Sequence, residues 1–536
     1  MLLTTGIIVV ALVWICRKIY NWAYEGYDLF EKIGIPHIKP IPFFGTNYKL
    51  FSRKVTLRDF CLNCYNAYPG ASIVGLFDQK RPVFLITDLE LVKQIGVKDF
   101  DYFVDHRGVV DEKKEPFFGL NLVNLKGQKW RDMRATLSPI FTGSKMRQMF
   151  ELISEIGAQM AEYFKQVDDK DREFEFKEMF SRYTNDVIAT SAFGIQVDSL
   201  KHRDNEFFMS AKTLMDFTGF WTGIRFLLLF MFPAIGKFFG IRMVPEWKTK
   251  FFANLITETM NVREKEGIVR PDLINLMLQL KKGVLKNENQ DHEKDKNESF
   301  AAVDESEVGR VTVRRQWSDN ELLAQAFIFF LAGFETSSTA MSFVAYELAV
   351  NKDVQEKLID EIDQVSSDLS GKKLTYDTLQ KMKYIDMVVT ESLRKWAPAE
   401  ITDRVCVKDY KMKNDQGQEF TIKKDQNVWF PISGFHYDPK YFENPEKFDP
   451  ERFSDENKDK INPAAYMPFG VGPRNCIGSR FALMEIKVAL YYLLLNFTLE
   501  VTEKTQIPLK LKKGFAQQAE NGIWLKLKPR ESNSNP

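Results

Sequence analysis

Hydrophobic and polar positions divide this chain into stretches of different period. Met1 to Cys16 is nearly all apolar and is followed at once by Arg17 and Lys18. Sixteen helical residues rise about 24 Å, slightly short of the ~30 Å hydrocarbon core of a bilayer. Trp14, Tyr20, Trp22 and Tyr24 stand where interfacial aromatics complete a span, and the basic flank keeps the C-terminal body cytosolic. A cleaved leader would begin basic and end on small residues, and neither feature is present. The pattern predicts a transmembrane signal anchor over residues 1–24. Pro36, Pro40 and Pro42 block a continuing helix, which marks 25–45 as a hinge.

Beyond the hinge, Ser72–Phe77 and Pro82–Ile86 flank a polar turn and predict a β-hairpin. From about 128 to 395 the apolar period is mostly helical. Residues 282–311 interrupt it with Lys, Glu, Asp and Asn and predict a mobile surface loop. Past 400, short alternating runs take over. Leu509–Leu511 and Ile523–Leu527 flank Asn521-Gly522 and predict a terminal hairpin. The fold class is mainly α with small β-sheets (α+β), and 46–536 forms one large domain. Its 536 residues would suggest several domains by length alone, but no repeat or Gly/Ser linker divides them.

Composition narrows the picture in two places. The net charge of +1 gives no argument for nucleic acid, so an electrostatic partner needs a local patch. The five cysteines, an odd and sparse set, argue for a reducing compartment over a disulfide framework. Cys61-Leu62-Asn63-Cys64 lacks the second pair or nearby His of a zinc site and reads as packing.

The candidate chemistry centres on Phe469-Gly470-Val471-Gly472-Pro473-Arg474-Asn475-Cys476-Ile477-Gly478. One cysteine sits on a glycine-shaped loop that runs into an apolar helix. Loop N–H groups, the helix N-terminus and Arg474 favour a thiolate there, and a thiolate bonded to iron pushes electron density toward O–O cleavage. Upstream, Ala332-Gly333-Phe334-Glu335-Thr336 lies mid-helix, where Gly333 costs about 1 kcal/mol relative to Ala. Its missing side chain leaves room for a flat ligand, and the Thr336 hydroxyl can bond a main-chain carbonyl. Glu391 and Arg394 share a helix face in apolar surroundings, with Arg452 available to complete a buried network.

The pattern Phe-x-x-Gly-x-Arg-x-Cys-x-Gly resembles the haem-binding loop of the cytochrome P450 family. Ala332–Thr336 resembles that family's oxygen-activation motif, and Glu391-Ser392-Leu393-Arg394 with Pro450-Glu451-Arg452-Phe453 resembles its structural motifs. Together these cover essentially the whole chain after the anchor. The resemblance implies haem b (iron protoporphyrin IX) with Cys476 as metal ligand and Phe469 and Gly478 shaping its loop. Thr336 and Glu335 would organise protons, alongside Ala332 and Gly333. Trp130, Arg134, Arg404 and Arg474 would clamp the propionates, with either His106 or Arg107 adding to them. Glu391, Arg394 and Arg452 would be structural. The substrate pocket would draw on Phe117, Phe118, Leu120, Ile328, Phe329, Ala399, Ile401, Phe515 and Ala516, and aromatic Phe217–Phe239 would form its roof.

The implied activity is monooxygenation of a lipophilic small molecule: a xenobiotic, plant toxin, insecticide, or endogenous lipid or hormone. The chain is most similar to microsomal insect members. No flavin or nicotinamide fingerprint is present, so electrons would come from NADPH through NADPH–cytochrome P450 reductase, with cytochrome b5 a further partner. Lys129, Arg131, Arg480 and Lys487 are the candidate basic docking patch. The implied location is the endoplasmic reticulum membrane, with the catalytic domain on its cytosolic face. Two rival classes remain: a haem-thiolate isomerase that rearranges a peroxide without a reductase, and a non-catalytic haem protein.

Overall fold

The computed structural model describes residues 2–530 apart from 109, 111, 216–224, 226–227, 230–235, 237, 271, 283–298, 304, 312 and 314. Most of the aromatic stretch Phe217–Phe239 therefore lies outside the described residues. The chain packs as two compact units. The first comprises Met1–Arg107, Glu400–Gly434 and Lys513–Ala516, and the second holds the remainder.

In the first unit, α1 (Leu2–Tyr24) is one continuous helix; its described apolar side chains up to Trp22, among them Ile7, Val10, Leu12 and Trp14, are exposed, and Ala23 is buried. Near its end, Trp22 packs on Phe43, and the Lys80 ammonium lies over the Trp22 ring. A mixed four-stranded sheet comes next. β1 (Ile73–Asp78) and β2 (Arg81–Ile86) form the expected hairpin, with Ile73 opposite Ile86 and Asp78 opposite Arg81. Gln79 supplies the positive φ of the turn. β2 pairs in parallel with β7 (Asn427–Pro431), and β7 pairs antiparallel with β4 (Ile401–Val405), giving the order β1-β2-β7-β4. A two-stranded ribbon, β5 (Tyr410–Lys413) with β6 (Glu419–Ile422), completes the strands of this unit. Inward Val74, Leu76, Val83 and Leu85 close on Leu50 and on Phe60 and Cys64 of α2 (Leu57–Tyr65). Cys61 and Cys64 are both buried free thiols, and burial pushes Cys61 up to about 12. Among the described residues, no group of three or more His, Cys, Asp or Glu is placed to hold a metal ion.

The second unit is helical. Its axis is α6 (Asp319–Val350), 32 residues long and capped by a reciprocal pair: the Glu321 N–H donates to Ser318 Oγ, and the Ser318 N–H donates to Glu321. Length and composition alone would let this helix cross a membrane, but 67% of its apolar window is buried in the protein, so it is a core helix. Against it pack α5 (Phe176–Ile188), α7 (Lys352–Leu369), α8 (Lys383–Lys395) and α9 (Ser479–Asn496); α4 (Gly143–Gln166) packs on α5 and α9, and α3 (Gly127–Leu137) belongs to the same unit. Gly157 lets α4 approach α9, since a Cβ there would sit 2.8 Å from the Tyr492 ring.

The predicted terminal hairpin does not form. β9 (Trp524–Pro529) pairs with β8 (Phe497–Val501) and with β3 (Glu173–Glu175). Leu511 instead bridges Ala519. Gly522 does take positive φ, but the turn it makes delivers β9 to strands distant in sequence. Residues 299–311, expected as part of a loop, include a short helix, Glu307–Arg310, and pack against α3.

One buried acid has a measurable consequence. Glu485 of α9 is fully buried, and burial pushes its carboxyl from 4.5 to about 8, with the Ser337 hydroxyl the one group opposing the shift. The folded state therefore holds a proton that the unfolded chain releases near its ordinary value. This contribution to stability is complete below pH 4.5 and is lost as pH rises through about 8. Glu485→Gln is expected to melt higher than wild type at pH 8 and alike near pH 5, which thermal unfolding across that range would check.

Candidate functional site

The cysteine loop is built by local backbone rules. Gly470 and Gly472 both have positive φ, a conformation a side chain resists. The Cys476 N–H donates to Phe469 O at 2.8 Å and closes the loop. Arg474 lies over the Trp130 ring at 4.0 Å and donates to the carbonyls of Leu122 and Leu125. α9 begins three residues after the cysteine.

Cys476 is exposed at its surface while burial dominates the environment of its thiol. The sulfur is therefore accessible yet surrounded by protein atoms. Burial pushes the thiol up, and the Gly478 N–H and the Arg134 charge oppose that shift. The Gly478 N–H and the Arg134 charge are thus the groups that favour an anionic sulfur here.

The centre of α6 provides the facing wall. Along its buried length, Ala332 and Thr336 are exposed and Ile328 and Phe329 are half-buried. Ile328, Ala332 and Thr336 succeed one another at the four-residue helical spacing. Phe141 joins the two walls: its ring lies 5.4 Å from that of Phe329 and would meet a Cβ on Gly478 at 3.8 Å. Thr336 Oγ1 donates to Ala332 O at 2.6 Å, the main-chain bond expected of it, and α6 stays α-helical throughout.

The other side of the same turn is held by α5. Thr184 Oγ1 donates to Phe334 O at 3.2 Å. Lys177 Nζ lies 3.1 Å from Glu335 Oε2 and donates to Ser338 Oγ. Burial pushes the Lys177 ammonium down, with the Glu335 carboxylate opposing. The room left by Gly333 is corrected here: a Cβ would sit 2.9 Å from Ile188 Cδ1, so the glycine admits a helix neighbour, not a flat ligand. Glu335 and Thr336, one residue apart, therefore face different surroundings.

The cation candidates are already engaged. Arg134 donates to Asn475 O at 2.7 Å and to both oxygens of Glu305. In the first unit, Arg404 is fully buried, and desolvation pushes its guanidinium down to about 10 despite Asp403. His106 Nδ1 lies 2.9 Å from Asp403 Oδ1, and the Arg107 N–H donates to Asp403 Oδ2, while the Arg107 side chain pairs with Asp78. Burial alone would raise Asp403; the His106 contact and the Arg107 N–H hold it below the ordinary range. Of the expected docking patch, Lys487 is a correction: it is 1% exposed and pairs with Asp386. Lys129 pairs with Glu321.

The network of Glu391, Arg394 and Arg452 is present. Arg394 and Glu391, both fully buried, make two bonds of 2.7 and 2.9 Å. The Asp449 N–H and Arg452 Nε also donate to Glu391 Oε1. Sequence reasoning missed His436, whose Nδ1 bonds Arg394 O while its Nε2 accepts from the Met467 N–H. That ring ties the network to the segment that enters the cysteine loop, and its two bonds fix the proton on Nδ1.

The pocket candidates separate. Phe118 is buried against Phe327, and Phe117 lies beside the same ring. Leu120 O accepts from Gln325 Nε2, and Ala399 is exposed. In the first unit, Ile401 packs on the apolar cluster, Phe515 is exposed beside Phe51, and Ala516 is exposed.

An accessible soft sulfur donor, with an apolar helix wall that carries one hydroxyl, fits a thiolate-ligated planar cofactor. A profile of the cytochrome P450 family matches residues 35–525. The chain is 46% identical over 520 residues to cytochrome P450 9e2 of Blattella germanica, covering 94% of each chain. It is 42% identical to probable cytochrome P450 9f2 of Drosophila melanogaster, covering 95% of this chain and 97% of that one. Cytochrome P450 6k1 of Blattella germanica is 36% identical, covering 90% of each. The chain belongs to the cytochrome P450 family and is a haem-containing monooxygenase.

Proposed function

We propose that this monooxygenase inserts one oxygen atom into small hydrophobic substrates, using NADPH electrons delivered by a flavoprotein reductase. The observation that carries this reading is the accessible thiol of Cys476 on its glycine loop, together with Ala332 and Thr336 exposed on an otherwise buried helix. Haem, when bound, supplies the iron that activates dioxygen. Cys476 would ligate it, the missing side chain of Gly478 would leave room beside the sulfur, and Trp130, Arg134 and Arg474 brace the loop. Arg404 is a buried cation whose desolvation favours an anion such as a propionate. Thr336 holds a proton in the exposed notch of α6, and Glu335, ion-paired with Lys177 on the α5 side of the same turn, would relay protons from there. Ile328, Phe329 and Ala332 offer apolar area, where burial is worth about 25 cal/mol per Å².

α1 supports anchoring in the endoplasmic reticulum membrane. Its 23 residues span about 34 Å, longer than the apolar run alone, and Arg17 and Lys18 place the catalytic part on the cytosolic side. Cytochrome b5 is an additional electron donor in this reading.

Reconstitution of the full chain with reductase, NADPH and a mixed lipophilic library should give products heavier by one oxygen atom, with that atom drawn from dioxygen. Turnover of a hydroperoxide without reductase, and none with it, would assign an isomerase instead. Thr336→Ala should lower the fraction of NADPH electrons recovered in product about a hundredfold, the lower end for loss of a positioned proton donor, with peroxide rising to match. Unchanged coupling would remove Thr336 from proton delivery.

A further inference from the structure

Between Ser299 and the start of α6, the chain is pinned against the elements that carry the cysteine loop. The Phe300 ring lies 5.0 Å from Phe453 and 5.3 Å from Tyr466, three residues before Phe469. Further on, Arg315 bonds Asp132 Oδ2 at 3.0 Å, and Trp317 Nε1 donates to Thr136 Oγ1 at 3.2 Å, both on α3. Between these ends Glu305 reaches Arg134 with both oxygens, at 2.8 to 3.2 Å, and accepts from Ser138 Oγ at 2.9 Å. A Cβ on Gly309 would lie 2.5 Å from Ser138 Oγ and 2.4 Å from the Glu305 carboxyl, so the glycine is required for this approach.

The Glu305 contact is a bidentate charge pair, the geometry in which an arginine is held most firmly. Arg134 is 3% exposed and Glu305 only 23%, so water screens the pair weakly. The remaining bonds of Arg134 go to Asn475 O at 2.7 Å and Asn475 Oδ1 at 2.8 Å, next to Cys476. The carboxylate therefore does two things through one guanidinium. It orients the donors that hold the Asn475 carbonyl, and it offsets the Arg134 charge that acts on the cysteine.

We propose that Glu305, carried on this strap, is a positioning residue for the metal-ligating loop that sets the net charge, and hence the reduction potential, at Cys476. The inference rests on the haem-thiolate reading and extends it to a residue in an insert without sequence motif. Because Glu305 acts through Arg134, its removal should leave the ligand in place and change the energy of the reduced state. An uncompensated cation favours the added electron.

The test is a spectroelectrochemical titration of the substrate-free holoenzyme. Glu305→Gln keeps the shape and removes the charge. It should shift the midpoint potential positive, raising the ferrous-to-ferric ratio at fixed potential roughly three- to tenfold, as expected for one partly buried charge. Glu305→Asp should return the potential toward wild type. Asp377→Asn, which removes a carboxylate from an exposed pair with Arg147, should leave it unchanged. A Glu305→Gln value equal to the Asp377→Asn value overturns the proposal. If Glu305→Gln does not assemble, Glu305→Ala removes the same charge, and absence of a positive shift there overturns the proposal equally. A ferrous–carbon monoxide spectrum on the same samples separates the failures. A wild type without the red-shifted band defeats the haem-thiolate reading, whereas a normal band with an unmoved potential defeats only the role of Glu305.

Discussion

Replacing Cys476 with serine is expected to lower monooxygenase turnover at least a thousandfold, about 4 kcal/mol of lost barrier reduction at 1.36 kcal/mol per decade. The glycine conformations of the loop and the Cys476 N–H bond to Phe469 O depend on backbone, not on sulfur, so the variant keeps its fold. It loses the soft anionic donor whose electron push distinguishes thiolate-ligated haem. NADPH-dependent product formation, normalised to bound haem, measures the effect. Retention of more than a few per cent of the activity would mean that another group ligates the iron.

Glu391→Ala is expected to cost about 3–5 kcal/mol of stability, the range for stripping one partner from a buried ion pair. Arg394 would remain fully buried with its carboxylate gone, and the Asp449 N–H and Arg452 Nε would lose the same acceptor. The damage should propagate to the cofactor site, because Arg394 O holds His436 and His436 holds the Met467 N–H. Loss of haem should therefore accompany a lower melting temperature. Glu391→Gln, which retains an acceptor, should fall between wild type and alanine. A melting temperature unchanged by Glu391→Ala would show that the network does not support the loop.

The features legible in the sequence were local ones. The β1–β2 hairpin, the Thr336–Ala332 bond and the Glu391–Arg394 pair each join residues within a few positions, where spacing determines geometry. The cysteine loop was legible because backbone rules at Gly470 and Gly472 operate residue by residue. The errors came from partners distant in the chain. β9 finds β8 and β3 instead of the nearby 509–511 run, and Gly333 answers to Ile188 on another helix. Lys487, polar in any hydropathy profile, is buried because Asp386 of α8 neutralises it. Glu305 had no signal at all: a carboxylate in a polar insert gains its role only when the strap meets α3.

The proposed chemistry depends on Cys476 donating its sulfur to haem iron. The ferrous–carbon monoxide spectrum of the purified, haem-loaded full chain tests this most directly. A strongly red-shifted band accounting for nearly all of the bound haem is the expected result. A spectrum with the band of a histidine-ligated or thiol-ligated haem instead would contradict it.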